Sequence, residues 1–358
     1  MKKLLLVFLT ISSILCVSCS NISNNTQNKI IIDKQGSFTF GGRVSSANGE
    51  FEKDTLFSSS NGQTYHSDHG YAFYQIPVNA KKYPIVFLHG GGQSAKSFET
   101  TPDGREGFQN IFLKKGYSVY LVDQPRRGRA GRSSVAITIN PTPDEQSLFN
   151  WFRIGSWPHF FDNVQFKNNE ETLTQYFQQV TPNTGNFDEE VVSDSLSALF
   201  DRIGEGILLA HSQGAGPAFF TAIKNKNVKA LVLYEPGGCS LPFPQNASPT
   251  NITMPTYFPI KEIPEDDFKK LASIPIVIYY GDNIPKEKSD NPYLEEWRLR
   301  VELIKKWEET LKSYNADVDV VILPEIGIYG NTHFPFSDLN NLEIADLLEK
   351  YLKEKKLE

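Results

Sequence analysis

Short, continuous apolar runs recur along the chain at 85–88, 118–122, 206–209, 230–234, 274–280 and 318–323. Runs of this length without polar alternation are the mark of strands covered on both faces. Between them, stretches near 105–115, 189–203, 214–225, 292–314 and 340–354 carry the spacing of amphipathic helices. Apolar strands alternating with such helices predict an α/β fold with a mostly parallel central sheet and helices on both faces. Ahead of this region, Gly36-Ser37-Phe38-Thr39-Phe40 and Tyr71-Ala72-Phe73-Tyr74-Gln75-Ile76 alternate with period two, predicting antiparallel strands and hairpins. Two stretches break the rhythm. Residues 134–188 are aromatic and loop-rich, with Phe149, Trp151, Phe152, Trp157, Phe160 and Phe161, and residues 236–270 are rich in proline and polar residues. Insertions of that length in a compact domain are usually functional. They are expected to cap the strand ends, with some aromatics forming the cap's own core and Trp151, Phe152 and Trp157 facing a substrate.

Composition narrows the class. The 358 residues, 39% of them hydrophobic, suit one large α/β domain with insertions, here placed at 36–358. The net charge is −6, and no basic block exists beyond Arg126-Arg127-Gly128-Arg129, which excludes nucleic acid as a partner. Lys2-Lys3 precede an apolar stretch over 4–17, the layout of an export signal (residues 1–18) rather than of a spanning helix. The stretch ends in Cys16-Val17-Ser18-Cys19 and runs into a polar tether, 19–35. This resembles a bacterial lipoprotein processing site with Cys19 as the lipidated residue, although Cys16 stands where leucine is usual. The chain is then expected to be exported and held at a membrane by lipid; a plain secretory signal, giving a secreted or periplasmic protein, is the alternative. With Cys19 lipidated, Cys239 has no intrachain partner. No zinc-type Cys/His spacing is present, and no metal or cofactor is expected.

The chemistry centres on Ala210-His211-Ser212-Gln213-Gly214, between an apolar run and the helix-like Ala215-Gly216-Pro217-Ala218. A serine at such a strand-to-helix turn is held in a strained conformation with its hydroxyl projecting from the sheet end. The flanking positions must be small, and Ala210 and Gly214 satisfy this. Directly after the run at 85–88 comes His89-Gly90-Gly91-Gly92. Consecutive glycines let backbone N–H groups face a cavity, so Gly91 and Gly92, with the N–H of Gln213, are candidate oxyanion donors. A phosphate-cradling loop is the other use of such glycines, but no Gly-Lys-Ser/Thr follows. Of six histidines, His333 follows the last apolar run and precedes the closing helix, the place a catalytic base requires. His211 is expected to pack against neighbouring strands, and His89 to brace the glycine loop. For the acid, Glu235 ends the run 230–234 and is followed by Pro236; Asp282 ends the next run and is the alternative.

Together these residues resemble the α/β-hydrolase superfamily over about 70–355. More narrowly, they resemble bacterial secreted esterases whose triad acid is a glutamate after strand six. That resemblance rests on Glu235-Pro236 following Ser212, on Gly330-Asn331-Thr332-His333 leading into Asn340–Asp346, and on Val122-Asp123-Gln124-Pro125 with Phe152-Arg153-Ile154-Gly155. It departs at Ala210, which replaces the elbow's first glycine, and at Gly91-Gly92, where some relatives carry a vicinal cysteine pair. The resemblance implies an α/β-hydrolase fold, a Ser212–His333–Glu235 triad and hydrolysis of a small-molecule carboxylic ester. A lactonase, thioesterase or peptidase on the same triad remains open, as does a non-catalytic surface binding lipoprotein.

Overall fold

In the computed structural model, residues 29–358 are described; the export signal read at 1–18 and the lipidation site Cys19 lie outside the described residues. The central sheet contains β1 (Ile32–Ser46), β2 (Thr64–Pro77), β3 (Ile85–Leu88), β4 (Val119–Asp123), β5 (Gly206–His211), β6 (Val228–Tyr234), β7 (Ile276–Tyr280) and β8 (Val318–Ile322). Their spatial order is β1-β2-β4-β3-β5-β6-β7-β8. The first two strands form a long antiparallel hairpin, β2 runs antiparallel to β4, and every pairing from β4 onward is parallel. β1 begins inside the stretch read as tether, so the folded part extends further towards the N-terminus than the alternation at 36–40 indicates.

The parallel strands are apolar because both faces are covered. On β3, Val86 and Leu88 face one core, while Ile85 and Phe87 face the other, as the pleat requires. Helices α1 (Phe108–Lys114) and α8 (Asn341–Glu354) cover the second face. The first is covered by α4 (Glu189–Ile203), α5 (Ala215–Lys224), α6 (Glu265–Ala272) and α7 (Pro292–Ser313). Caps match the chemistry of helix starts. Asp188 accepts from the N–H groups of Glu190 and Val191, and Asn291 accepts from Tyr293 and Leu294 ahead of Pro292 in the first turn.

The two insertions hold more regular structure than their composition suggests. Residues 134–188 contain α2 (Glu145–Trp151), α3 (Glu170–Gln178) and a small hairpin pairing Gly155–Ser156 with His159–Phe160. Residues 236–270 contribute a parallel pair, Leu241–Pro244 with Ile260–Ile263, and the start of α6. Trp307 of α7 fastens this second insertion: its Nε1 donates to the Pro242 carbonyl at 2.6 Å, and its ring packs on Phe219 of α5. Replacing Trp307 by phenylalanine keeps most of the apolar volume but orphans that buried carbonyl. The expected cost is about 1–3 kcal/mol of unfolding free energy, read by urea denaturation.

Candidate active site

β5 feeds directly into a single tight turn, Ser212–Gly214, from which α5 starts. Ser212 takes φ +52°, the left-handed region that a non-glycine residue occupies only under constraint. Two neighbours enforce the constraint. A Cβ on Gly214 would stand 2.7 Å from the His89 carbonyl, and a Cβ on Gly90 would stand 2.8 Å from Ser212 Cβ. The turn and the glycine loop are therefore packed backbone to backbone, and Ala210, fully buried on β5, fits without displacement. The N-terminus of α5 points its free N–H groups at the same spot, a setting that favours negative charge.

The glycine loop sits beside this turn. Gly91 lies against the Gln213 side chain, and Gly92, at φ +65°, passes its carbonyl to the N–H of Thr181 at 2.8 Å. His89 is buried; its Nδ1 bonds the Gly90 carbonyl at 2.9 Å, and its Nε2 accepts from the N–H of Gln124 at 3.3 Å. Burial holds this imidazole below the usual histidine range, so it braces the loop as a neutral ring. Arg127, also buried, donates to the Gln93 carbonyl at 2.9 Å and adds a second brace.

Glu235 follows β6 at φ +55° and is fully buried. One oxygen meets His333 Nδ1 at 3.2 Å; the other accepts from Arg153 Nη2 at 2.6 Å and from the N–H of Gly281. Asp282 is occupied elsewhere. Its carboxylate accepts from the N–H groups of Asn283 (2.6 Å) and Gly330 (2.7 Å), which shapes its own turn and the approach of the His333 loop.

His333 is buried, stacked on Phe152 with ring centroids 5.1 Å apart and planes within 7°. Its N–H donates to the Phe152 carbonyl at 2.9 Å, and its carbonyl bonds His211 Nε2 at 2.8 Å. Burial first, then the positive charges of Arg153 and Arg300, push its imidazole well below the usual histidine range. All three act in the same direction, against the charged ring. No hydrogen bond joins Ser212 Oγ to His333 among the described residues.

Ser212, Gln213, Gly91, Gly92, Trp151 and Phe152 line one cavity of about 980 Å³. Trp157 is not part of that lining: it lies half exposed with its ring against Phe149 at 5.3 Å, on the cap's own aromatic core. Two arginines escaped the sequence reasoning, Arg153 on Glu235 and Arg300 on the cavity wall. The only signals were positional: Arg153 sits between Phe152 and Ile154, and Arg300 falls on the buried stripe of α7 with Trp297, Leu303, Ile304 and Trp307.

A sheet of this order, with a left-handed serine turn leading from its middle strand into a helix, is the framework of the α/β hydrolases. The chain belongs to the α/β hydrolase family, whose model matches residues 85–338. Over 98% of its length and 98% of the relative's, it is 27% identical to a protein named "Probable secreted lipase phiG" from Fungal sp. (strain ATCC 74256). It also resembles the solved structure of a novel bacterial esterase, with a TM-score of 0.73 and 28% identity over 91% of this chain and 97% of that one. The protein is thus a hydrolase with lipase-like and esterase-like relatives.

Gly90→Ala tests the packing of the turn against the glycine loop. The added methyl group meets Ser212 Cβ and His211 Nδ1 and is expected to cost about 1–3 kcal/mol in urea denaturation, since neither neighbour can retreat.

Proposed function

We propose that the protein is an exported serine esterase that hydrolyses carboxylic esters through an acyl-enzyme. Ser212 Oγ passes its proton to His333 Nε2 and attacks the ester carbonyl, while Glu235 holds the Nδ1–H tautomer and steadies the imidazolium that forms. The N–H groups of Gln213 and of Gly91 or Gly92 receive the oxyanion at the start of α5. His333 then protonates the departing alcohol, and water repeats the sequence on the acyl-enzyme. Trp151 and Phe152 supply the apolar wall for the substrate. The observation that carries this reading is the buried contact between Glu235 and His333 Nδ1 at 3.2 Å, reached beside the strained Ser212. Export agrees with the basic-then-apolar N-terminus and with the name of the fungal relative, and Cys19 is proposed as the lipid-bearing residue.

A fluorophosphonate probe is expected to label Ser212, and Ser212→Ala to abolish labelling and lower turnover of p-nitrophenyl esters by about 10⁴-fold or more. Folded, unlabelled wild-type protein would refute the mechanism. Glu235→Gln should lower kcat by about 10³–10⁴-fold, with Asp282→Asn far milder; the reverse ranking would make Asp282 the acid.

The pH profile gives an independent check. His333 must be neutral to act as base, and its folded pKa lies below the ordinary 6.5. The acid limb of kcat/KM is therefore expected below pH 6.5. Arg153→Met removes a positive charge facing the imidazole, so the imidazolium becomes easier to form. The limb should move up, with Arg153→Lys falling between. A limb that stays in place would show that Arg153 only packs.

A further inference from the structure

Arg300 is 1% exposed, yet its guanidinium is poorly satisfied. Its charge centre sits 4.5 Å and 4.6 Å from the ring centroids of Trp151 and Trp297, and the backbone of Gly237 lies directly against it. Nε has no hydrogen-bond partner among the described residues. The bond recorded for the remaining donors runs from Nη2 to Glu296 Oε1 at 3.5 Å, the outer limit of such contacts. Glu296 is itself engaged, accepting from the N–H groups of Thr256 at 3.0 Å and Tyr257 at 3.2 Å. The other buried arginines differ. Arg153, although its Nη1 is also unpartnered, meets Glu235 at 2.6 Å, Arg126 grips both oxygens of Asp68 at 2.9 Å and 3.0 Å, and Arg127 is held by Asn183 and the Gln93 carbonyl.

Arg300 also lines the cavity that contains Ser212, and the link between them is short: the N–H of Gly237, which covers the guanidinium, points to the Ser212 carbonyl at 3.4 Å. We propose that Arg300 is an anion subsite of this cavity, and that the ester hydrolysed by the protein carries a carboxylate. The inference rests on the serine-esterase reading for the reaction, but not for the binding. A guanidinium taken from water with one long contact to a single carboxylate oxygen is incompletely matched, and its planar fork of donors fits a second carboxylate better than any neutral group. The two indoles flank the guanidinium and favour its charge. The carboxylates of Asp144, Asp188 and Glu190 also border the cavity, but they are exposed at its rim and screened by solvent; Glu189, whose charge opposes an anion, is held away by the N–H of Ser240 at 2.5 Å. Lys261, the other cation of the lining, is exposed and screened in the same way.

The test compares kcat/KM for two matched pairs of esters. Mono-p-nitrophenyl glutarate against p-nitrophenyl pentanoate places the carboxylate on the acyl side; 4-acetoxybenzoate against 4-acetoxybenzamide places it on the alcohol side. The wild type is expected to favour the anionic member of at least one pair by about tenfold or more, the range of a charge-assisted hydrogen bond. Arg300→Met should collapse that ratio, and Arg300→Lys should keep part of it. Equal rates within both pairs, or a preference that survives in Arg300→Met, would overturn the proposal. If Arg300→Met does not fold, wild-type tryptophan fluorescence decides, since Trp151 and Trp297 flank the guanidinium. Titration with glutarate should quench or shift the emission at concentrations at least about tenfold below those needed for glutaramide, and equal responses would refute the subsite. The same titration separates the two readings: a protein that hydrolyses no ester but binds glutarate selectively loses the esterase assignment and keeps the anion subsite.

Discussion

A carboxylate without solvent must have its charge met by protein, and the arrangement of the site follows from how that is done for Glu235. The sheet alone cannot do it. The end of β6 delivers the side chain and the turn after β7 offers one N–H, but the cation comes from Arg153 in the first insertion and the imidazole from the loop after β8. Three segments distant in sequence therefore converge on one buried group. Removing a single partner from such a cluster typically costs 3–5 kcal/mol, because the remaining charge cannot return to water. The left-handed backbone at Ser212, Glu235 and Arg153 fits this picture: each is held off the easier conformation by the packing around it.

Burial also sets the charge state of the histidines. His211 and His333 touch, with ring centroids 4.5 Å apart, and both are held well below the usual histidine range, burial being the larger cause for each. Two imidazolium ions at that separation would repel each other in a medium that screens poorly. Neutral rings are the consistent state, and a neutral His333 is also the form able to accept a proton. Folding thermodynamics therefore favours the state that the proposed mechanism would use.

Much of the scaffold could be read from the chain. The six apolar runs became β3 to β8, and the five amphipathic stretches became α1, α4, α5, α7 and α8, because strands covered on both faces and helices covered on one leave unambiguous patterns. Inside the insertions the signal weakened. α2, α3 and α6 are short and sit among turn-forming residues, so composition suggested loops where helices stand. At the candidate site, Ser212, Glu235, His333 and the glycine loop were singled out by position relative to strand ends. The structure brings Glu235 and His333 into contact and leaves Asp282 bonded to backbone. Arg153 and Arg300 were not legible, since a buried arginine is defined by what it meets in space, and Glu235 lies 82 residues from Arg153. Trp157 was indistinguishable from Trp151 in sequence. Only packing separates the tryptophan against Phe149 from the one against the cavity.

The bond from Arg153 to Glu235 has a consequence for how such a protein can diverge. Insertions over a sheet are often treated as interchangeable modules, free to be shortened or exchanged as specificity changes. Here the insertion supplies the counter-charge of a core residue, so a lineage that discarded it would strand a buried anion before it gained any new pocket. Change in this region is therefore confined to paths that keep an arginine at the turn after α2 while the surrounding aromatics drift. The first insertion and the sheet end beneath it are electrostatically one piece.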